Sequence, residues 1–192
     1  MNTPLIVLTV GTDSHPYDRA VRWIDAWAAA NPDARVVAQW GTSTRARHAE
    51  GDALLPRPEL EALLREADAV VSHGGPATLH QIRQVGLLPL CVPRDPTLGE
   101  HVDDHQQRFA RHQAARGRIR HLEDEASLHA ALDEVVREPS VLRIDPSSDA
   151  SVAAASVARF AAFVDALLLG DGDRIADLHE TAVATLHRED TP

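Results

Sequence analysis

The chain has no lysine; all 19 basic side chains among its 192 residues are arginine. That excludes a Walker-type phosphate lysine, a Schiff-base lysine and a lysine general base together. Cysteine is nearly absent too. The single Cys91 lies in the apolar run 87–92 and reads as a buried strand thiol rather than a reactive one. One cysteine forms no internal disulfide, so a reducing cytoplasm is the expected compartment. Long apolar runs are missing. The opening MNTPLIVLTVG has a short apolar stretch without a basic n-region, which is not a signal peptide. The best candidate for a membrane span, 151–170, is interrupted by Arg159 and Asp165, whereas a spanning helix needs roughly 20 apolar residues. An excess of positive charge is also lacking. A formal net charge of −10 argues against general nucleic-acid binding, which needs a basic face. It leaves room for a nucleotide held by one locally positive loop.

What is present is alternation. Apolar runs at 5–10, 35–40, 68–72 and 87–92, with a weaker one at 118–122, read as strands. Between and after them, 16–30, 59–67, 77–85, 102–116 and 125–137 carry helical spacing. In the first helix Ala20, Val21, Ile24, Trp27 and Ala28 fall on one side. Gly86 suits the C-terminal cap of the third. Strands alternating with helices predict an α/β fold, a doubly wound parallel sheet of Rossmann type with right-handed crossovers. Pro139, Pro146 and paired serines mark a boundary. The expected organisation is a Rossmann-like domain at 1–138, followed by a linker and C-terminal helices at 139–192. The tail helices are placed at 150–169 and 174–187.

In such a sheet ligands bind above the carboxyl ends of the strands. Four loops land there. The first holds Gly11, Thr12 and His15; the second, Gly41; the third, Ser72, His73, Gly74 and Gly75. Adjacent glycines let backbone approach a ligand closely. Pro76 suits a first helical position, so the helix N–H groups of Ala77 and Thr78 can face a phosphate. The fourth loop, 94–107, is long and polar, a length that usually serves a function. It offers Asp104 as a cap or sugar ligand, and Gln106 and Gln107 as paired donors and acceptors. Arg94 reads either as a charge for a phosphate-bearing ligand or as a surface ion pair. His15 and His73 adjoin glycines on this edge, whereas His129, His179 and His187 sit on helices expected to be solvated.

Two familiar chemistries find little support. His101 and His105 stand at i, i+4, a spacing that suits two metal ligands on one helix face. The run HVDDH lacks the Glu of an HExxH motif, and Asp104 is the remaining candidate ligand. No metal site and no cofactor are expected. Ser72 lacks the G-x-S-x-G elbow of a nucleophilic serine.

Three stretches together, VLTVGTDSHPYDR, SHGGPATL and VPRDPTLGEHVDDHQQ, resemble the C-terminal, donor-binding domain of family 28 glycosyltransferases. The likeness is greatest to the stand-alone half-enzymes of bacterial exopolysaccharide and dolichol-linked GlcNAc synthesis, and it covers 4–136. The resemblance implies half of a GT-B fold and a UDP-sugar donor. Gly11 and Thr12 would approach the diphosphate. Gly74, Gly75, Ala77 and Thr78 would hold phosphate or ribose, and Asp104, Gln106 and Gln107 the sugar. Where a member of the family carries a ribose-binding Glu in a T-x-x-E pattern, this chain has Gln81, a weaker acceptor. The resemblance further implies a membrane-anchored acceptor-binding subunit, a lipid-linked acceptor reached through it, and a place at the inner membrane face. The expected function is the donor subunit of a two-component inverting hexosyltransferase in polysaccharide biosynthesis. The alternatives are a non-catalytic nucleotide-sugar-binding subunit and an epimerase of the same architecture, which would need a second domain.

Overall fold

The computed structural model describes residues 3–147, together with 161, 162, 164 and 177. Its elements run β1 (Leu5–Thr9), α1 (Asp18–Ala30), β2 (Arg35–Gln39), β3 (Glu50–Asp52), α2 (Arg57–Glu66), β4 (Ala69–Ser72), α3 (Pro76–Gln84), β5 (Leu90–Cys91), a short 3-10 turn (Pro96–Leu98), α4 (His105–Ala115), β6 (Arg120–His121) and α5 (Glu125–Arg137). The six strands form one parallel sheet in the order β3-β2-β1-β4-β5-β6. The chain winds outward from β1 in one direction and from β4 in the other. Between these two strands the loops leave on opposite faces and open a crevice, the place where such sheets bind ligands.

Central strands are buried on both faces, as continuous apolar runs demand. Every residue of β1 and of β4 is buried. Helix α1 lays Ala20, Val21, Ile24, Trp27 and Ala28 on the sheet, the stripe its spacing predicts. The indole of Trp27 donates to Asp133 Oδ1 at 2.8 Å, tying α1 to α5. His129 is half-buried in the same contact, its Nε2 2.9 Å from the carbonyl of Trp23. The expectation of a solvated histidine is corrected there, because α5 packs on α1 rather than standing clear.

Other departures have local causes. Strand β3 was not anticipated: its three residues are polar or glycine and all exposed, so no apolar pattern marks it. It forms because Gly51, at φ +125°, lets this edge lie against β2, where a Cβ would come within 2.1 Å of the Ala38 carbonyl. The run 87–92 yields only a two-residue strand. Leu87 instead bridges Arg143 antiparallel, and Ile144 N–H donates to the Gly86 carbonyl. Leu142 is thus buried, and the sheet-bearing unit runs to Pro146. A second unit begins at Ser147, and the expected helices at 150–169 and 174–187, with His179 and His187, fall outside the described residues apart from the four positions above. Cys91 is buried with its thiol pushed up to about 12 by desolvation, the inert state its apolar run suggests. No helix among the described residues is long and apolar enough to cross a membrane.

Candidate functional site

Glycines shape the mouth of the crevice. Gly11 follows β1 at φ +75° and Gly74 follows β4 at φ +88°, a region L side chains avoid. A Cβ on Gly74 would meet Cys91 Sγ at 2.9 Å, while the neighbour of Gly11 and Gly75 is the His73 imidazole. A Cβ on Gly11 would come within 2.6 Å of its Cε1, and a Cβ on Gly75 within 2.4 Å of its Nε2. Both loops are therefore kept bare by a protein ring lying between them, a second reason for glycine beside any ligand. His73 is buried, and its Nδ1 has no partner. Desolvation, then the nearby Arg94 charge, lowers its pKa to about 4.

The unfolded chain takes up the His73 proton near 6.5 and the folded protein near 4. Between these values unfolding binds a proton, so stability falls with falling pH, by about 2.5 kcal/mol at pH 4.5. His73→Gln should remove that loss. Urea melts of both proteins at pH 7 and 4.5 check it, and an equal acid drop in the variant would contradict it.

Ser72 ends β4 with its Oγ buried and unpaired. Past it, Gly75 is the N-cap of α3 and Pro76 its first residue, with no side chain capping the helix. The N–H groups of Ala77 and Thr78 have no intrahelical acceptor, and the positive end of the helix faces the mouth. Thr12 is exposed on the facing loop. His15 is folded onto Asp13, which accepts from its backbone N–H at 2.7 Å and contacts its ring Nδ1 at 2.6 Å. Those two bonds hold the Asp13 carboxyl low against the desolvation that would raise it. Gly41, after β2, packs against Val10. It stands one loop further from the crevice.

Arg94 departs from both readings made of it. Its residue is fully buried, which rules out a surface ion pair. Nη1 donates to the carbonyls of His15 (2.7 Å) and Glu100 (2.9 Å), and Nη2 to that of Val10 (2.9 Å). The guanidinium lies 4.8 Å above the Tyr17 ring, with Nε unpaired. It is a brace joining the first and fourth loops, and most of its donors are already committed. Arg19 completes the brace. It grips both Glu100 oxygens at 3.0 and 2.8 Å and the Pro93 carbonyl at 2.9 Å. Tyr17 Oη donates to the Val92 carbonyl at 2.5 Å. Tyr17, Arg19 and Glu100 were missed in the sequence, since partners about eighty positions apart leave no spacing to read.

The glutamines part company. Gln106 turns inward, buried with Oε1 unpaired. Gln107 lines a separate groove with Arg19, Asp95, Arg111 and His121. Neighbours on a helix point about 100° apart, so the two do not act as the expected pair. Asp104 is exposed and pairs with Arg108 at 3.2 Å. Asp103, not Asp104, takes the His105 N–H. Gln81 lines a groove between α2 and α3 with Arg57, Glu61, Leu64 and Arg65.

Among the described residues, the buried side-chain polar atoms without a partner are Ser72 Oγ, His73 Nδ1, Arg94 Nε and Gln106 Oε1. Ser72 is the last residue of β4 and His73 follows it, while Arg94 and Gln106 follow β5. A buried polar group left unpaired costs about 1–3 kcal/mol, so four on one edge fit a surface whose partner is a polar ligand.

The profile of the glycosyltransferase family 28 C-terminal domain matches residues 5–162. No curated protein matches the sequence. Among solved structures the chain is similar to the glycotransferase of kitacinnamycin, at 20% identity and a TM-score of 0.56, over 72% of this chain and 36% of that one. It is also similar to CalG4, the calicheamicin glycosyltransferase, at 17% identity and a TM-score of 0.53, over 72% and 35%. These likenesses show the α/β, Rossmann-like fold of GT-B glycosyltransferases. The chain spans about a third of the length of either structure.

Proposed function

The chain belongs to the glycosyltransferase family 28 C-terminal domain family, and from that premise we propose that its crevice holds the nucleotide-sugar donor of a two-component hexosyltransferase. The donor is a UDP-sugar and the acceptor a lipid-linked one, presented by a second, membrane-anchored chain in polysaccharide biosynthesis. The four unpaired polar atoms on the crevice edge carry this reading. Two of them, on Ser72 and His73, immediately precede the uncapped start of α3, where a diphosphate gains backbone hydrogen bonds and a favourable dipole. Gly11, Thr12, Gly74 and Gly75 line the diphosphate path, with Ala77 and Thr78 donating from the helix. Ser72, His73 and Gln106 offer polar atoms to ribose or sugar. Preorganised donors of this kind stabilise a departing diphosphate most when charge develops on it. Arg94 acts at one remove, by fixing the loops that frame the pocket.

A transfer assay with labelled UDP-hexose tests this, run with the protein alone and with the membrane-anchored chain added. Transfer only in the pair is the expected result. Donor binding without transfer in the complete pair would establish a non-catalytic nucleotide-sugar-binding role instead.

A further inference from the structure

Beside the crevice, two loops bring five metal-ligating side chains together. His101, Asp103 and His105 each offer one ligand atom, and these lie within 4.8 Å of one another. The His105 ring Nδ1 touches Asp103 Oδ1, and His101 Nδ1 is 3.6 Å from the same oxygen. From the other loop Asp13 Oδ2 faces His101 Nε2 at 3.5 Å, and the His15 ring centroid is 6.0 Å from that of His101. The His101 side chain is 10% exposed, while His105 and Asp103 are about half exposed.

We propose that His101, Asp103 and His105, with Asp13 facing them, bind a divalent first-row transition cation of the zinc class. Two imidazoles and a carboxylate are a donor set that suits zinc and cobalt better than magnesium. A tetrahedral zinc ion with bonds of roughly 2.0–2.1 Å sets its ligand atoms a little over 3 Å apart. Rotation of exposed His105 and Asp103 can bring ligand atoms within 4.8 Å to that spacing. The residues come from a turn rather than from a helix, because α4 begins only at His105; the i, i+2, i+4 set converges through that turn. Asp13 is already oriented by the His15 backbone and ring, as carboxylates beside metal sites commonly are. The exposed side leaves a coordination position open.

The position gives the cation a use, and this part rests on the donor reading above. The chain has no lysine, and Arg94 and Arg19 are committed to backbone carbonyls and Glu100. A cation held between the first and fourth loops would add to the positive charge that the α3 N-terminus offers a diphosphate on Gly11 and Thr12.

Untagged protein stripped with chelator is titrated with Co2+ and followed by its visible d–d absorption, then competed with Zn2+. One equivalent should bind with the intensity of a low-coordinate site. His101→Ala and His105→Ala should each weaken binding at least tenfold, and Asp103→Asn likewise. His48→Ala, far along the chain from the cluster, should not. Binding equal in all variants, or only the faint spectrum of the aqueous ion, overturns the cation site. UDP calorimetry with and without Zn2+ separates the two claims. A cobalt spectrum without UDP binding in either state ends the donor reading and leaves the cation site standing. UDP binding without a cobalt spectrum does the reverse.

Discussion

Replacing Gly75 with alanine is expected to lower the affinity for a nucleoside diphosphate at least tenfold and to cost about 1–3 kcal/mol of stability. The backbone tolerates the change, since Gly75 sits at φ −63°. The harm comes from the His73 ring, whose Nε2 would stand 2.4 Å from the new methyl. Retreat toward Gly11 is limited by that loop's backbone, since the ring already lies 2.6 Å from where a Cβ on Gly11 would stand. It must swing out, disturbing both loops of the crevice and the approach to the α3 N-terminus. The double variant Gly75→Ala/His73→Ala tests that route, because removing the ring removes the clash. Its stability should exceed the value expected from adding the two single changes, a coupling of the kind contacting residues show. Additive losses would place the cost in the backbone itself.

The second large effect belongs to Arg94. Arg94→Met should destabilise the domain by about 3 kcal/mol or more, because it strands three carbonyls, two of them fully buried, at about 1–3 kcal/mol for each buried group. Those carbonyls belong to Val10, His15 and Glu100, so the first and fourth loops lose their brace together. Met fills similar volume, and the loss therefore reports hydrogen bonds rather than a cavity. Arg94→Lys should recover less than half, for a single ammonium lacks the fork that reaches three carbonyls. Denaturant melts of the three proteins measure this. A change under about 1 kcal/mol in Arg94→Met would mean that water replaces the guanidinium without cost.

These two sites show what a sequence of this kind makes legible. The glycine turns were readable because positive φ and close approach restrict residue type locally. So was α5, Glu125–Arg137, whose Asp124 cap and Ser127 form a reciprocal box at its start. Strand β3 was not, since exposed Glu50, Gly51 and Asp52 carry no apolar signal and pair only because β2 offers an edge. Helix α4 was placed three residues early. Its apparent first turn is spent on loop bonds among His101, Asp103 and His105. The glycines were read as space for a ligand, and the His73 ring takes the space beside Gly11 and Gly75. The Arg94–Tyr17–Arg19–Glu100 brace was invisible, because its members meet only after the sheet is wound. Local stereochemistry is written in neighbouring residues, while the charge inventory of a pocket depends on which arginines the fold has already engaged.

That pocket is the centre of the account, and calorimetric titration of the protein with UDP and with ADP tests it most directly. One UDP site per chain is expected, at least tenfold tighter than ADP and weakened by Gly75→Ala. Absence of UDP binding, or equal affinity for both nucleotides in wild type and Gly75→Ala alike, would contradict it.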